Sequence, residues 1–275
     1  QAIAALEFER IGQFLAVNLV AVVNESGDAA RFAAAVAQVR EASPLPLVLM
    51  SEDPEAQKQA LEVAGGDQPL LYAATAANWE AMAALASEYG CPLAVRAEEL
   101  AELAELSDKV AAAGAQDLVL VPAMGSLLGN LTALTHIRRM ALRKRFRPFG
   151  YPTLVVPTTA DPIDEAIEAA VYLAKYGSIV IFREPLVWQM LPLVVLRQNI
   201  YTDPQKPIQV EPKVYEIGTP SERSPLYVTT NFSLTYFSVL SEIEASKVPS
   251  YLLVVDTEGT SVLTAWAAGK FSAEA

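Results

Sequence analysis

The residues best suited to hold a ligand lie near the C-terminal end of the sequence. Thr229-Thr230-Asn231-Phe232-Ser233-Leu234-Thr235 closes one apolar run, Leu226 to Thr230, and Gly259-Thr260-Ser261-Val262 follows another, Tyr251 to Val255. Hydroxyls, a carboxamide and backbone N–H groups beside apolar surface offer neutral donors and acceptors. That suits a large organic ligand fringed with amides better than a phosphate or a metal ion. Ala64-Gly65-Gly66-Asp67 and Met124-Gly125-Ser126 have neither GxGxxG nor Walker spacing. The single cysteine, Cys91, stands before a strand in Gly90-Cys91-Pro92-Leu93 and reads as a small core residue. Alone it forms no intrachain disulfide and holds no iron-sulfur cluster. The only histidine, His136, lies in a helical stretch beside Arg138 and Arg139, outside any Asp-x-His-x-x-Gly context. No base, nucleophile and orienting partner assemble from spacing, so neither a catalytic residue nor a metal ligand is assigned.

The elements that must position these loops are legible from apolar runs. Strands are expected at Ala16 to Val23, Leu45 to Met50, Pro69 to Tyr72, Pro92 to Val95, Leu118 to Val121, Thr153 to Val156 and Ser178 to Phe182, alternating with helices. Their continuous apolar character implies burial on both faces, as in a parallel sheet wrapped by helices. Leu100, Leu103, Leu106 and Val110 form one helical stripe, and Ile163, Ile167, Val171 and Ala174 another. Asp53-Pro54 and Asp161-Pro162 each put a capping carboxylate before a proline at the first helical position. A helical remnant at Gln1 to Phe8 suggests an eighth unit whose strand lies upstream, completing a (β/α)8 TIM-type barrel over residues 1–202; an open doubly wound sheet is the alternative. Residues 203–225, with Pro204, Pro207, Pro212, Pro220 and Pro225, read as a proline-rich linker. Residues 226–275 open a small α/β domain: strand Leu226 to Thr230, helix Val239 to Ser246, strand Tyr251 to Val255, a turn at Asp256 to Gly259 and a strand at Ser261 to Ala265.

With 275 residues, 52% of them hydrophobic, the chain buries a sizeable core, and its net charge of -12 opposes sequence-independent nucleic-acid binding. No apolar run reaches the roughly 18 residues of a membrane span, so a soluble cytoplasmic protein is expected. Against this acidic background Arg138, Arg139, Arg143, Lys144, Arg145 and Arg147 crowd the end of one helix. They complement the helix dipole and solvate a face, or they form a docking patch for an acidic partner.

The arginine-rich helix end RRMALRKRFRPFGYP, the stretch LRQNIYTDPQKPIQVE and the block from Ser224 to Phe271 together resemble the large (gamma) subunit of the corrinoid iron-sulfur protein of the carbon monoxide dehydrogenase/acetyl-CoA synthase (Wood-Ljungdahl) system. The resemblance spans nearly the whole chain. It implies a barrel followed by the start of a Rossmann-like corrinoid-binding domain, with an N-terminal 4Fe-4S module and most of the corrinoid domain lying outside this chain. The implied role is a methyl carrier, whose cobalt in the Co(I) state accepts a methyl group from methyltetrahydrofolate through a separate methyltransferase and delivers it to acetyl-CoA synthase. The implied partners are a small subunit in a heterodimer, the methyltransferase and the synthase, and the implied cofactor is cobalamin, with the cluster confined to the parent protein. Carried onto this sequence, the corrinoid contacts are Thr229, Asn231, Phe232, Thr235, Gly259, Thr260, Ser261 and Val262. Two other readings stand beside it: a self-sufficient barrel methyltransferase using Asn78, Asp161 and their neighbours, and a purely structural heterodimer scaffold.

Overall fold

The computed structural model describes Ile3, residues 6–184, 186–201 and 207–270. The chain forms two compact units. One comprises Gln1–Glu7 and Ala16–Arg197, the other Phe8–Leu15 and Gln198–Ala275. The expected helical remnant at Gln1 to Phe8 lies partly outside the described residues, but its end is a strand: β1 (Glu7–Arg10) pairs with β2 (Gln13–Ala16). The two-residue link Ile11-Gly12 has φ of 47° and 73°, the geometry of a tight hairpin turn. A Cβ on Gly12 would stand 2.6 Å from the Phe237 ring, so this glycine answers both the turn and the packing.

The larger unit alternates strand and helix. It runs β3 (Val20–Val23), α1 (Ala29–Ala42), β4 (Leu47–Met50), α2 (Pro54–Ala64), β5 (Leu70–Ala74), α3 (Trp79–Tyr89), β6 (Leu93–Ala97), α4 (Leu100–Ala112), β7 (Leu118–Pro122) and α5 (Leu127–Arg143). It continues through β8 (Leu154–Val155), α6 (Pro162–Ala174), β9 (Ile179–Val180) and α7 (Val187–Tyr201). β3 to β7 pair in chain order, all parallel, and β8 and β9 pair in parallel as well. A parallel bridge from Leu120 to Thr153 connects the two groups. This is an α/β fold whose parallel strands follow one another without the order reversal of a doubly wound sheet.

The period of two along each strand sorts the core into two layers. Leu47, Leu49, Leu93, Val95, Leu118 and Leu120 pack beneath the helices, while Val48, Ala94, Val119 and Val121 face the other side. That inner cluster also gathers Ala21 of β3 with its neighbour Leu19, and Ile179 of β9 with nearby Ile181, so first and last strands feed one core. The apolar runs thus reflect burial on both faces, as expected. The helix starts also follow expectation, because Asp161 accepts from the N–H groups of Ile163 and Asp164, and Asp53 accepts from Glu55. Cys91 is buried in the outer layer, and burial pushes its thiol up to about 11. Against the reference value of 9.0 that leaves about a hundredfold less thiolate at neutral pH. Modification by a disulfide reagent at pH 8 is therefore expected to run about a hundred times slower than for free cysteine, and to reach the free rate in denaturant.

One helix departs from the periodicity reading. In α6 the apolar stripe faces solvent, with Ile163 62% and Ile167 54% exposed, whereas Glu165, Glu168 and Tyr172 are buried. The reason lies in the loops. Glu168 accepts from the backbone N–H and hydroxyl of Thr158 at 2.7 and 2.8 Å and from the Tyr172 hydroxyl at 3.1 Å. Glu165 accepts from the N–H of Arg183 at 2.9 Å and from the amide of Gln189 at 3.1 Å. Turning this face outward would take both carboxylates away from the buried Gln189 amide and from the partly buried N–H groups of Thr158 and Arg183.

The smaller unit adds β10 (Val214–Ile217), β11 (Leu226–Thr230), α8 (Ser233–Ser246), β12 (Ser250–Val255) and α9 (Val262–Ala267). β12 is central, antiparallel to β10 and parallel to β11. Three expectations change here. The proline-rich span carries a strand, β10, because Val214 to Ile217 contain no proline and pair along β12. The helix before β12 begins at Ser233 rather than Val239. Ser261 to Ala265 is not a strand: the Ser261 hydroxyl accepts from the Thr264 N–H and caps α9, which starts at Val262. Residues 202–206, where the expected linker begins, and 271–275 lie outside the described residues. Among the described residues, no helix is long and apolar enough to cross a membrane, and no group of three or more His, Cys, Asp or Glu side chains could hold a metal ion.

Candidate functional site

Parallel pairing of β11 with β12 puts the C-terminal ends of both strands at the same edge of the sheet. The two small-residue loops, about 25 residues apart in sequence, therefore meet. Asn231 joins them. Its backbone N–H donates to Val255 O at 2.9 Å, and its carboxamide oxygen accepts from the N–H of Thr257 at 3.0 Å, the hydroxyl of Thr257 at 3.1 Å and the N–H of Gly259 at 3.0 Å. Its amide nitrogen donates to Gln209 at 3.2 Å and Asp256 at 3.0 Å. The carboxamide is saturated, so Asn231 shapes the site rather than offering itself to a ligand.

The other expected positions divide by what they have left to offer. The Thr260 hydroxyl donates to Thr257 O, and Ser261 is occupied as the α9 cap. Gly259, at φ 72°, permits a close approach, but by its own chain: a Cβ there would stand 2.6 Å from Pro207 and 2.8 Å from Gln209. Phe232, Thr235 and Val262 are half-buried. Thr229 is buried, and its hydroxyl has no hydrogen-bond partner.

Thr230 and Ser233 belong to the loop singled out in the sequence but, like Thr257, are not among the contacts that the resemblance implies. The hydroxyls of Thr230 and Ser233 are also buried without partners, which makes three orphaned hydroxyls within five residues at the β11–α8 junction. Buried polar atoms are rarely left unpaired, and a cluster of them needs a reason. A ligand with amide acceptors and donors would supply one. The signal was present in sequence as a run of hydroxyl residues where an apolar strand ends, but composition could not say which of them lacked partners.

The larger unit offers less. Asn78 accepts from the N–H and hydroxyl of Thr75 and donates to Glu52 O and Ala73 O, which fixes the loop after β5. Asp161 caps α6. Both residues of the barrel-methyltransferase reading are thus engaged in local structure. Tyr72 lies near Arg96 and Glu52, its phenol pushed up mainly by burial while Arg96 works against that shift. Arg96 in turn pairs with Glu52 at 3.6 Å and Glu98 at 3.5 Å. Val23, Asn24, Ser51, Glu52 and Tyr72 line an open hollow of about 250 Å³ there. A second cavity of about 270 Å³ lies between β3 and β9, lined by Val20, Ala21, Ile179, Val180 and Met190 among others.

Comparison with known proteins supplies context. The family profile described as CdhD, CO dehydrogenase/acetyl-CoA synthase delta subunit, matches residues 1–275. The chain is 53% identical over 274 residues to the corrinoid/iron-sulfur protein large subunit of Moorella thermoacetica, covering 100% of this chain and 61% of that protein. It is 39% identical over 288 residues to the acetyl-CoA decarbonylase/synthase complex subunit gamma of Methanothermobacter thermautotrophicus, covering 100% of this chain and 63% of that one. The chain thus spans about three-fifths of the length of these relatives. Among solved structures, dihydropteroate synthase from Xanthomonas albilineans superposes with a TM-score of 0.50 at 13% identity, covering 68% of this chain and 80% of that one, a likeness of fold alone.

Proposed function

The chain belongs to the CO dehydrogenase/acetyl-CoA synthase delta subunit family, and from that premise we propose that it is part of a corrinoid-dependent methyl carrier. The observation that carries this reading is the cluster of orphaned hydroxyls of Thr229, Thr230 and Ser233 at the end of β11, beside the loop that follows β12. Ligands of parallel α/β sheets bind outside the carboxyl ends of the strands, which is where this cluster stands. Thr229 and Thr230 present their unpaired hydroxyls to opposite faces of β11, so amides on the rim of a corrin would meet those on one face, while half-buried Phe232 and Val262 supply apolar surface for the macrocycle. When bound, the corrinoid supplies a cobalt centre able to take up and hand on a methyl group. The chain's own part is to hold and orient it. Asn231 locks the two loops together, and neither a histidine nor a cysteine stands at this end of the smaller unit to compete for the metal.

The larger unit serves in this reading as a scaffold for partner proteins: a small subunit, a methyltetrahydrofolate methyltransferase and acetyl-CoA synthase, all in the cytoplasm. We read the opening between β3 and β9 as the place of an eighth strand that closes a TIM-type barrel over residues 1–202. Ile163 and Ile167 on α6, and Val187, Trp188 and Leu191 on α7, are apolar side chains exposed to solvent, as expected of a subunit that is covered in an assembly.

The test separates ligand binding from folding. In the full-length protein, Thr229→Val/Thr230→Val removes two hydroxyls while keeping side-chain shape. Because neither hydroxyl has a partner, thermal stability is expected to hold or rise by about 1 kcal/mol per site. Corrinoid occupancy, read from visible absorbance after incubation with hydroxocobalamin, is expected to fall at least about tenfold in affinity. Unchanged occupancy in this stable variant would favour the scaffold reading instead.

A further inference from the structure

We propose that the C-terminal end of α5 is a docking platform for an acidic face of a partner subunit. Six of the chain's twenty Lys and Arg residues lie between Arg138 and Arg147, leaving fourteen to set against thirty-two Asp and Glu elsewhere. All six are exposed, and among the described residues none forms an ion pair. In a protein with so many carboxylates, six cations without one are held apart by the fold rather than used by it.

The surroundings specify the partner's chemistry. Arg138 stacks over Tyr176 and Arg147 over Tyr151, each 5.8 Å from the ring centroid, which orients two guanidinium groups. Leu142, 62% exposed, with Met140 and Phe146, places apolar surface among the charges. Arginine, methionine and aromatic residues are enriched in protein interfaces, where lysine is depleted, and five of these six cations are arginine. Guanidinium groups meet carboxylates through paired hydrogen bonds. A nucleic acid is disfavoured because its phosphates would run past the patch onto a strongly acidic surface.

Backbone geometry makes one of these arginines a clean probe. Arg145 follows the α5 cap at φ 52°, in the left-handed region that favours glycine. The platform also has its own end of the larger unit. α5 runs back from the C-terminal end of β7, so its last turn lies at the edge where strands enter the sheet, opposite the loops carrying Ser51, Asn78 and Thr158.

The choice of probes rests on the assembly proposed above. In the full-length protein, Arg139→Glu/Arg143→Glu/Arg145→Glu would be titrated against the small subunit, the methyltransferase and the synthase at 50 and 300 mM salt. DNA duplex, phosphatidylserine vesicles and self-association serve as competing occupants. One protein partner is expected to lose at least tenfold in affinity on charge reversal, with the wild-type interaction weakening steeply with salt. Arg145→Gly is expected to keep or raise the melting temperature while weakening the same partner. Unchanged affinity for all three proteins, or loss of binding only to DNA, vesicles or a second copy, overturns the platform. If corrinoid occupancy fails in the wild type while partner affinity still falls on charge reversal, the function proposed above fails and the platform stands.

Discussion

Asn231→Ala is expected to unfold the smaller unit while the larger one stays intact. Alanine removes the acceptor for the N–H groups of Thr257 and Gly259 and for the Thr257 hydroxyl, all buried, and the donor for Gln209 and Asp256. Each buried group left unsatisfied costs about 1–3 kcal/mol, so the loss reaches about 3–5 kcal/mol. A core as small as Ile217, Tyr236, Ile243, Leu252 and Val254 has little stability beyond that. Native-state amide exchange in the full-length protein reads the effect locally: exchange at Leu252 to Val255 should accelerate by more than about a hundredfold, and exchange at Leu93 to Val95 should not change. Corrinoid binding should vanish with it. Equal acceleration in both units would show that Asn231 supports something larger than its own loops. Asn231→Asp keeps the three accepting contacts but puts a carboxylate about 3.0 Å from Asp256, and should lose less than alanine does.

Glu168→Ala should be the most damaging change in the larger unit outside its hydrophobic layers. The carboxylate is buried, makes no ion pair among the described residues, and satisfies Thr158 twice and Tyr172 once. Removing it leaves the buried Tyr172 hydroxyl without its acceptor and frees two donors of exposed Thr158 to water, for a loss of about 1–3 kcal/mol, measured by urea denaturation. The same network has an alkaline signature. Burial pushes the Tyr172 phenol up to about 12 from 10.0, with Glu168 adding to the rise and the Asn130 amide opposing it. The folded protein therefore holds this proton more tightly than the unfolded chain does. The resulting stability is fully present below pH 10 and is lost as pH rises towards 12, by up to about 2–3 kcal/mol. Tyr172→Phe should flatten that part of the stability profile, and a slope unchanged by the substitution would place the titrating group elsewhere.

The two predictions differ in how far each could be anticipated. Asn231 stood in the ligand loop because of its residue type and position after an apolar strand, and the structure brings that loop to Thr257 and Gly259. Its saturation could not be read, since all five carboxamide contacts go to residues 22–28 positions away. Glu165 and Glu168 gave no sign at all. Alternating stripes on α6 offered two faces, and periodicity favours the one carrying isoleucine. The buried face is instead the one whose carboxylates meet the N–H groups of Thr158 and Arg183, a preference set by loops that only assembly creates.

The sequence by itself determined the order and parallel character of the strands, because burial on both faces writes an unbroken apolar run into each one. It also determined helix starts such as Asp161-Pro162, because a cap acts on N–H groups two and three residues away. Ser261 to Val262 lay at the limit of that reach, since β-branched residues in so short a run suit a strand as well as a capped helix. Only the tertiary structure decided which face of α6 turns inward, that Asn231 is a strut, and that three hydroxyls at the end of β11 are left without partners. Local rules fix what neighbouring residues do to one another. Hydrogen-bond satisfaction of buried polar groups is settled between distant segments, and it exists only once the sheet has brought them together.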